Sequence, residues 1–211
     1  NTMDDAMTAK GDFRLLKYAD PAQDADDGDD GVAETLDEIV GMTYGINNGD
    51  AGDIPNQAIS FPGMAIRSQD SQLPVYTLAQ VYLCKAEAAL LGWGGDAQTE
   101  YEAGVTSSWT QWGVAGVATY LENNPYVNKN SIAYEKWVAA FPSGYEAWAE
   151  WRRFDFPVLT PAIAYQNTSG EIPVRHAYPQ TETELNATNY DAAVVAQGAD
   201  GLDTKLWWDM Y

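Results

Sequence analysis

The chain has 211 residues, 45% of them hydrophobic and 12% aromatic, enough to bury a core as one domain or as a large piece of one. Eleven Lys and Arg against 31 Asp and Glu leave a formal charge of -20, which repels both a phosphate backbone and an anionic membrane surface and so excludes nucleic acid as a partner. The single cysteine, Cys84, excludes an intrachain disulfide and a cysteine-held zinc, and its apolar helical surroundings predict a small core residue.

The first residues carry neither a basic n-region nor an apolar h-region, and no apolar run is long enough to span a bilayer. There is no initiator Met at position 1 and an ordered-looking motif, Asp12-Phe13-Arg14-Leu15, comes early, so upstream sequence is expected. Residues 18 to 66 hold eleven acidic side chains, many Gly and Asn, and not one Lys or Arg. Their weak periodicity predicts long loops with room for short strands.

From Pro74 the pattern changes. Val75, Leu78, Ala79, Tyr82, Ala86, Ala89 and Leu90 recur at three- and four-residue spacing and predict an amphipathic helix that Gly92 stops. Gly94 and Gly95 turn the chain, Asp96 caps, and Ala97, Tyr101, Val105, Trp109 and Trp112 mark one face of a second helix. Such a pair resembles a tetratricopeptide-type hairpin, which buries both faces only by packing on neighbouring helices. A short helix over Val117 to Leu121 should follow. Ser131 is the expected N-cap of the next block, which runs through Ile132, Trp137, Val138 and Phe141 and, past Pro142-Ser143-Gly144, through Trp148 and Trp151 to its end at Pro157 and Pro161. Beyond Thr160 mostly loop is expected, with one short helix around Asp191 to Ala196 and the closing Leu206-Trp207-Trp208 docked on the core. The chain divides into a loop-rich acidic segment (1–73), a helical scaffold (74–157) and a loop-rich C-terminal segment (158–211).

Four segments resemble the SusD/RagB family, in the same order and over nearly the whole chain. They are Asp12-Phe13-Arg14-Leu15 with Tyr18-Ala19-Asp20-Pro21; Tyr76 to Ala88 within Pro74 to Trp93; Tyr134-Glu135-Lys136-Trp137 through Trp151-Arg152-Arg153 and Phe156-Pro157; and Ile172-Pro173-Val174-Arg175 through Lys205-Leu206-Trp207-Trp208-Asp209. Two positions depart from the family's pattern: Gln80 stands where an acidic residue is common, and Phe13 where a Pro is usual. The resemblance implies an all-α fold with tetratricopeptide-like helical hairpins and long loop insertions, here its C-terminal part. It also implies a non-catalytic protein at the cell surface of a Bacteroidetes-type bacterium, held to the outer membrane by an N-terminal lipid that this chain lacks. There it would capture a glycan or peptide for a SusC-like TonB-dependent transporter.

The residues themselves suggest where ligands bind. Eight Trp and thirteen Tyr offer sugar-stacking faces, yet Tyr82, Tyr101, Trp109, Trp137 and Trp148 sit at core spacing. Ligand candidates are therefore aromatics of the irregular segment beside hydrogen-bonding amides: Tyr44 with Asn47 and Asn48, and Phe61 beside Pro62-Gly63. The run from Asp24 to Gly31 sets hard oxygens on flexible backbone, as Ca²⁺ requires, with Asp24, Asp26, Asp30 and Asp37 as ligand candidates. No cofactor is otherwise required. Gly28 leaves the third position of an EF-type loop without a side-chain ligand, and a solvated acidic loop is the alternative. His176 is the only histidine, with no Ser or Cys partner motif, so a triad has no base. A carboxylate-dependent glycoside hydrolase is the competing function, because it needs only two carboxyls across a cleft. Against it, Glu87, Glu100, Glu102, Glu135, Glu146 and Glu150 lie at spacings that Lys85, Lys136, Arg152 or Arg153 would satisfy as structural ion pairs. A third reading, a scaffold without a ligand, requires the loop aromatics to be buried.

Overall fold

The computed structural model describes residues 2–167 and 169–209, and its regular secondary structure is helical, with long irregular stretches between the helices. Two short helices, α1 (Thr2–Thr8) and α2 (Leu15–Tyr18), precede the acidic loops, which hold the single turns α3 (Asn48–Gly52) and α4 (Met64–Arg67) and tighter turns at Leu36–Glu38 and Asn56–Ala58. The scaffold follows as α5 (Leu78–Leu90), α6 (Ala97–Gln111), α7 (Val117–Asn123), α8 (Lys129–Ala139) and α9 (Gly144–Phe154), and then come α10 (Gln180–Leu185) and α11 (Ala187–Gln197). Among the described residues there is no strand, only an isolated antiparallel bridge between Ala19 and Pro62. The fold is all-α. Two compact units form: Asn1–Tyr44 with Asn48–Leu159, and Gly45–Asn47 with Thr160–Tyr211.

In the first unit the expected hairpin is present, and α5 packs along α6 more extensively than any other two helices pack. The helix begins at Leu78 rather than near Pro74, because Thr77 forms a capping box: its hydroxyl accepts from the Gln80 N–H at 3.2 Å and the Gln80 side chain accepts from the Thr77 N–H at 2.8 Å. Val75 is thereby left outside the helix and 90% exposed. Gln80, which departs from the family's pattern, is the residue that closes this box. The buried stripe is Ala79, Leu83 and Ala86, facing Tyr101, Gly104, Val105 and Trp109 of α6. Close approach is possible because position 104 has no side chain: a Cβ there would lie 2.7 Å from Leu83 Cγ. Cys84, one residue round the helix from Leu83, is exposed, so its expected burial is corrected: the stripe that α6 covers passes through 79, 83 and 86 and misses 84.

Asp96 caps α6 as expected, accepting from Thr99 N–H at 2.8 Å. Ser131 does not cap α8. Asn128 does, accepting from Asn130 N–H at 2.8 Å, while the Ser131 hydroxyl accepts from Val127 N–H. Two apolar clusters share α8, which gives Ile132 to the hairpin's cluster and Tyr134, Trp137 and Val138 to a second one built on Met7, Leu15, Tyr18 and Ile39. Between these residues Glu135 carries a carboxylate into the interior.

That carboxylate belongs to a fully buried cluster. Arg14 Nη2 contacts Glu135 Oε2 at 2.8 Å and Asp12 Oδ2 at 2.5 Å, Arg14 Nη1 donates to Ser108 Oγ at 2.9 Å, and the Tyr120 hydroxyl donates to Glu135 Oε1 at 2.6 Å. Burial opposes the charge on Arg14, but Glu135 and Asp12 outweigh it and hold the guanidinium above its ordinary pKa. Burial, reinforced by the Glu135 charge, pushes the Tyr120 hydroxyl up as well.

A second, part-buried cluster joins three scaffold helices. Lys136 reaches Glu87 at 2.5 Å and Glu150 at 3.2 Å, and Arg153 reaches Glu87 at 2.6 Å. The expected structural role of Glu87, Glu150 and Arg153 is what the contacts show, whereas Glu135 pairs with Arg14. Burial opposes ionisation of Glu87, but the hydrogen bonds from Arg153 and Lys136 prevail and lower its pKa. A lowered carboxylate pKa contributes stability above the unfolded value, near 4.5, and that contribution is lost as pH falls through the folded value. Glu87→Gln is therefore expected to cost about 1–2 kcal/mol at neutral pH, between the values for exposed and fully buried pairs. In thermal melts its deficit against the parent protein should shrink as pH is lowered from 4.5 through the folded value.

The second unit carries more helix than expected, since α10 and α11 together replace the one short helix read at 191–196. It is organised round Arg175, which pairs with Asp200 at 2.8 Å and lies over the Tyr178 ring. Trp207 is 83% exposed, so the expected docking of both closing tryptophans is corrected for that residue: the buried group at this end is Asp209, paired with Lys205.

Candidate functional site

Phe61 is positioned by backbone pairing of three irregular stretches. Asp20 N–H donates to the Phe61 carbonyl at 2.9 Å, Gly63 N–H to the Tyr18 carbonyl at 2.9 Å, and Ser60 N–H to the Val40 carbonyl at 2.8 Å. Gly63 is required by space: a Cβ there would stand 2.6 Å from the Lys17 carbonyl oxygen. Asp20 fixes the following turn, accepting from Met64 N–H at 3.1 Å and forming an ion pair with Arg67. Opposite, Asp24 N–H donates to the Gln57 carbonyl at 3.0 Å and draws the acidic loop towards the turn at Asn56–Ala58.

These segments line an open hollow of about 430 Å³, bordered among others by Phe61, Gln23, Asn56, Gln57, Asp26 and Asp29. Phe61 is 46% exposed. The chemistry offered is an apolar ring face beside side-chain amides and carboxylates, the groups that recognise a polyhydroxylated ring: its C–H face lies on the aromatic and its hydroxyls bond the amides and carboxylates.

Of the residues singled out from the sequence, the structure brings Phe61 and Asp26 to one lining. Tyr44 and Asn48 are exposed and lie outside it, and Asn47 falls in the second unit. Asp24, Asp30 and Asp37 are likewise exposed, with Asp30 accepting from Val32 N–H at 2.9 Å and Asp26 Oδ2 from Gly31 N–H at 2.8 Å. Among the described residues no group of three or more His, Cys, Asp or Glu side chains is arranged round a metal position. A carboxyl pair nevertheless ties the loop down. Glu38 is buried and its carboxylate is held below the usual range by the Glu34 N–H, whereas the Asp27 carboxyl is pushed up by its hydrogen bond to Glu38. Gln23, Asn56, Gln57 and Arg67 were not foreseen. Their one sequence signal is the Asn56-Gln57 amide pair after Pro55, five residues from the Phe61 region.

Other candidates lie elsewhere. His176 is exposed, and its carbonyl accepts from Arg175 Nε at 2.9 Å. Arg152 lies 4.0 Å from the centre of the Trp148 ring, a stacking arrangement, and Arg153 holds glutamates as described. A separate hollow of about 440 Å³, lined by Tyr76, Thr77, Gln111, Trp112 and Pro142 among others, carries no charged side chain.

Residues 1–179 match the model of a SusD-like family described as starch-binding, associating with outer membrane. The chain belongs to the SusD-like family. Solved structures similar to this SusD-like chain include a SusD homologue from Bacteroides fragilis, with TM-score 0.81 and 22% identity over 99% of this chain and 51% of that one. A chitin-binding SusD homologue from Flavobacterium johnsoniae matches with TM-score 0.76 and 27% identity over 97% and 48%. One from Bacteroides uniformis matches with TM-score 0.78 and 28% identity over 97% and 48%. The chain thus spans about half the length of these relatives. No protein of curated function matches it in sequence. In this SusD-like chain the Asp12-Phe13-Arg14 segment supplies the buried cluster, and Phe13 sets its ring edge-on to Trp109 at 6.5 Å. No described helix is long and apolar enough to cross a membrane.

Proposed function

We propose that this SusD-like chain is part of a cell-surface, outer-membrane-associated protein that binds a glycan without cleaving it and passes it to a SusC-like TonB-dependent transporter. The observation that carries the reading is the half-exposed Phe61 ring set among the Gln23, Asn56 and Gln57 amides in an open hollow. A starch-binding family and a chitin-binding relative support the same ligand class. The exposure of Phe61 and Tyr44 weighs against a scaffold with no ligand. Transfer to a transporter rests on the family resemblance.

Phe61→Ala is expected to weaken binding of starch- or chitin-derived oligosaccharides about tenfold, on the order of 1.4 kcal/mol, without shifting the melting temperature. Isothermal titration with the full-length protein measures this, and unchanged affinity would move the site elsewhere. One observation favours a glycoside hydrolase as the second reading: Asp20, Asp26 and Asp29 share that hollow with the aromatic ring. Assaying the same samples for new reducing ends separates the two, since their appearance would make the chain an enzyme.

A further inference from the structure

We infer that the uncharged hollow at Tyr76 and Trp112 is a second glycan subsite continuous with the Phe61 hollow, so that the protein holds neutral glycans of several rings more tightly than short ones. The inference rests on the glycan-binding reading above and concerns how far along the ligand recognition runs. The turn α4 borders both hollows: Arg67 lines the first, and its neighbours in sequence Ala65 and Ile66 line the second. Phe61 and Ile66 are five residues apart, so their Cα atoms stand at most about 19 Å from each other, a gap that a short run of sugar rings spans. Met64, between them in sequence, is 56% exposed, so an apolar side chain rather than a charge stands on the shared turn. All lining residues of both hollows belong to the first compact unit.

The second hollow offers the groups that a neutral sugar needs. Trp112 is held edge-on to Tyr18, with ring centres 4.7 Å apart, and tilted against Phe141 at 6.1 Å, so its ring is fixed before any ligand arrives. Tyr76 is 65% exposed. Gln72 and Gln111 are exposed on the same lining and supply amide donors and acceptors. Aromatic faces beside amides suit the C–H faces and hydroxyls of a sugar ring. None of the lining residues is charged, although 20% of the chain's residues are. A uronic acid or a free amino sugar would lose hydration there without meeting a counter-charge, whereas a neutral ring gives up only hydroxyl contacts that the amides replace. A glycan already on Phe61 presents its next rings to this hollow at high effective concentration, so a second contact adds affinity.

The test titrates the full-length protein by calorimetry with trimers and hexamers of α-1,4-glucose and of N-acetylglucosamine, and whichever series binds carries the comparison. The hexamer should bind at least ~10-fold tighter than the trimer, roughly what one aromatic contact contributes. Tyr76→Ala should erase that advantage and leave the trimer unaffected, whereas Tyr76→Phe, which keeps the ring, should retain it. Phe61→Ala should weaken both lengths. Both Tyr76 variants should melt with the parent protein, since the side chain precedes α5 and lies largely in solvent. Three results overturn the second subsite and leave the glycan-binding reading standing: no hexamer advantage, an advantage that survives Tyr76→Ala, or equal losses at both lengths in that variant. Binding of neither series overturns both.

Discussion

Replacing Arg14 with methionine should lower the unfolding free energy by about 3–5 kcal/mol, the cost of stranding buried charge. Arg14 is fully buried, and its removal leaves the Asp12 and Glu135 carboxylates, both almost wholly inaccessible, facing each other without a cation. Only Ser108 and Tyr120 would then remain as side-chain donors from this cluster. Chemical denaturation at neutral pH measures the loss as a fall in the midpoint with little change in slope. A companion variant with Asp12, Arg14 and Glu135 all replaced by apolar residues of similar size should recover part of it, because no buried charge is then left unpaired, while the Tyr120 and Ser108 hydroxyls still lose their partners. If Arg14→Met cost less than about 1 kcal/mol, the cluster would have to be hydrated rather than dry.

The second large effect is a coupling between positions 83 and 104. Leu83→Ala should cost about 2–5 kcal/mol, since its side chain is fully buried in the α5–α6 seam. Gly104→Ala should cost about 1–3 kcal/mol by overpacking, although alanine is the better helix former, because the new methyl would lie 2.7 Å from Leu83 Cγ and 2.9 Å from its Cδ2. In the double variant the methyl at 104 enters space that Leu83 has vacated. Its total should fall short of the sum of the single losses by more than 0.5 kcal/mol, roughly the smallest coupling expected of residues in contact. Additive losses would mean that the backbone near Leu83 N, 3.3 Å from the added atom, sets the limit.

What could be read from the sequence follows from what is periodic. The hairpin was legible because Ala79, Leu83, Ala86 and Tyr101, Val105, Trp109 repeat at helical spacing. The same pattern over-reached at Val75, where the Thr77 box starts the helix later, and a general sense of apolar surroundings misplaced Cys84, which sits off the stripe. Ser131 and Asn128 are both good caps, and only the hydrogen bond to Asn130 distinguishes them. At the candidate site Phe61 was legible as an aromatic outside any helix. Gln23, Asn56 and Gln57 were not, because their convergence depends on backbone bonds such as Asp24 to Gln57 and Ser60 to Val40, which leave no periodic trace. Arg14 as the partner of Glu135 was hidden for a related reason: the two lie 121 positions apart, and spacing rules reach only one helical turn.

That distance also bears on how the first unit assembles. Arg14 meets Ser108 across 94 positions and Glu135 across 121, so three remote stretches must arrive before the guanidinium is balanced. Long-range closures of this kind come late and slow the reaction. A state with α8 docked but the N-terminal turn absent would carry a dehydrated carboxylate, and one with the hairpin out of register would lack the Ser108 hydroxyl. Either partial assembly is penalised, so the cluster acts as a check on completeness: the unit should appear all at once, with no populated half-built form.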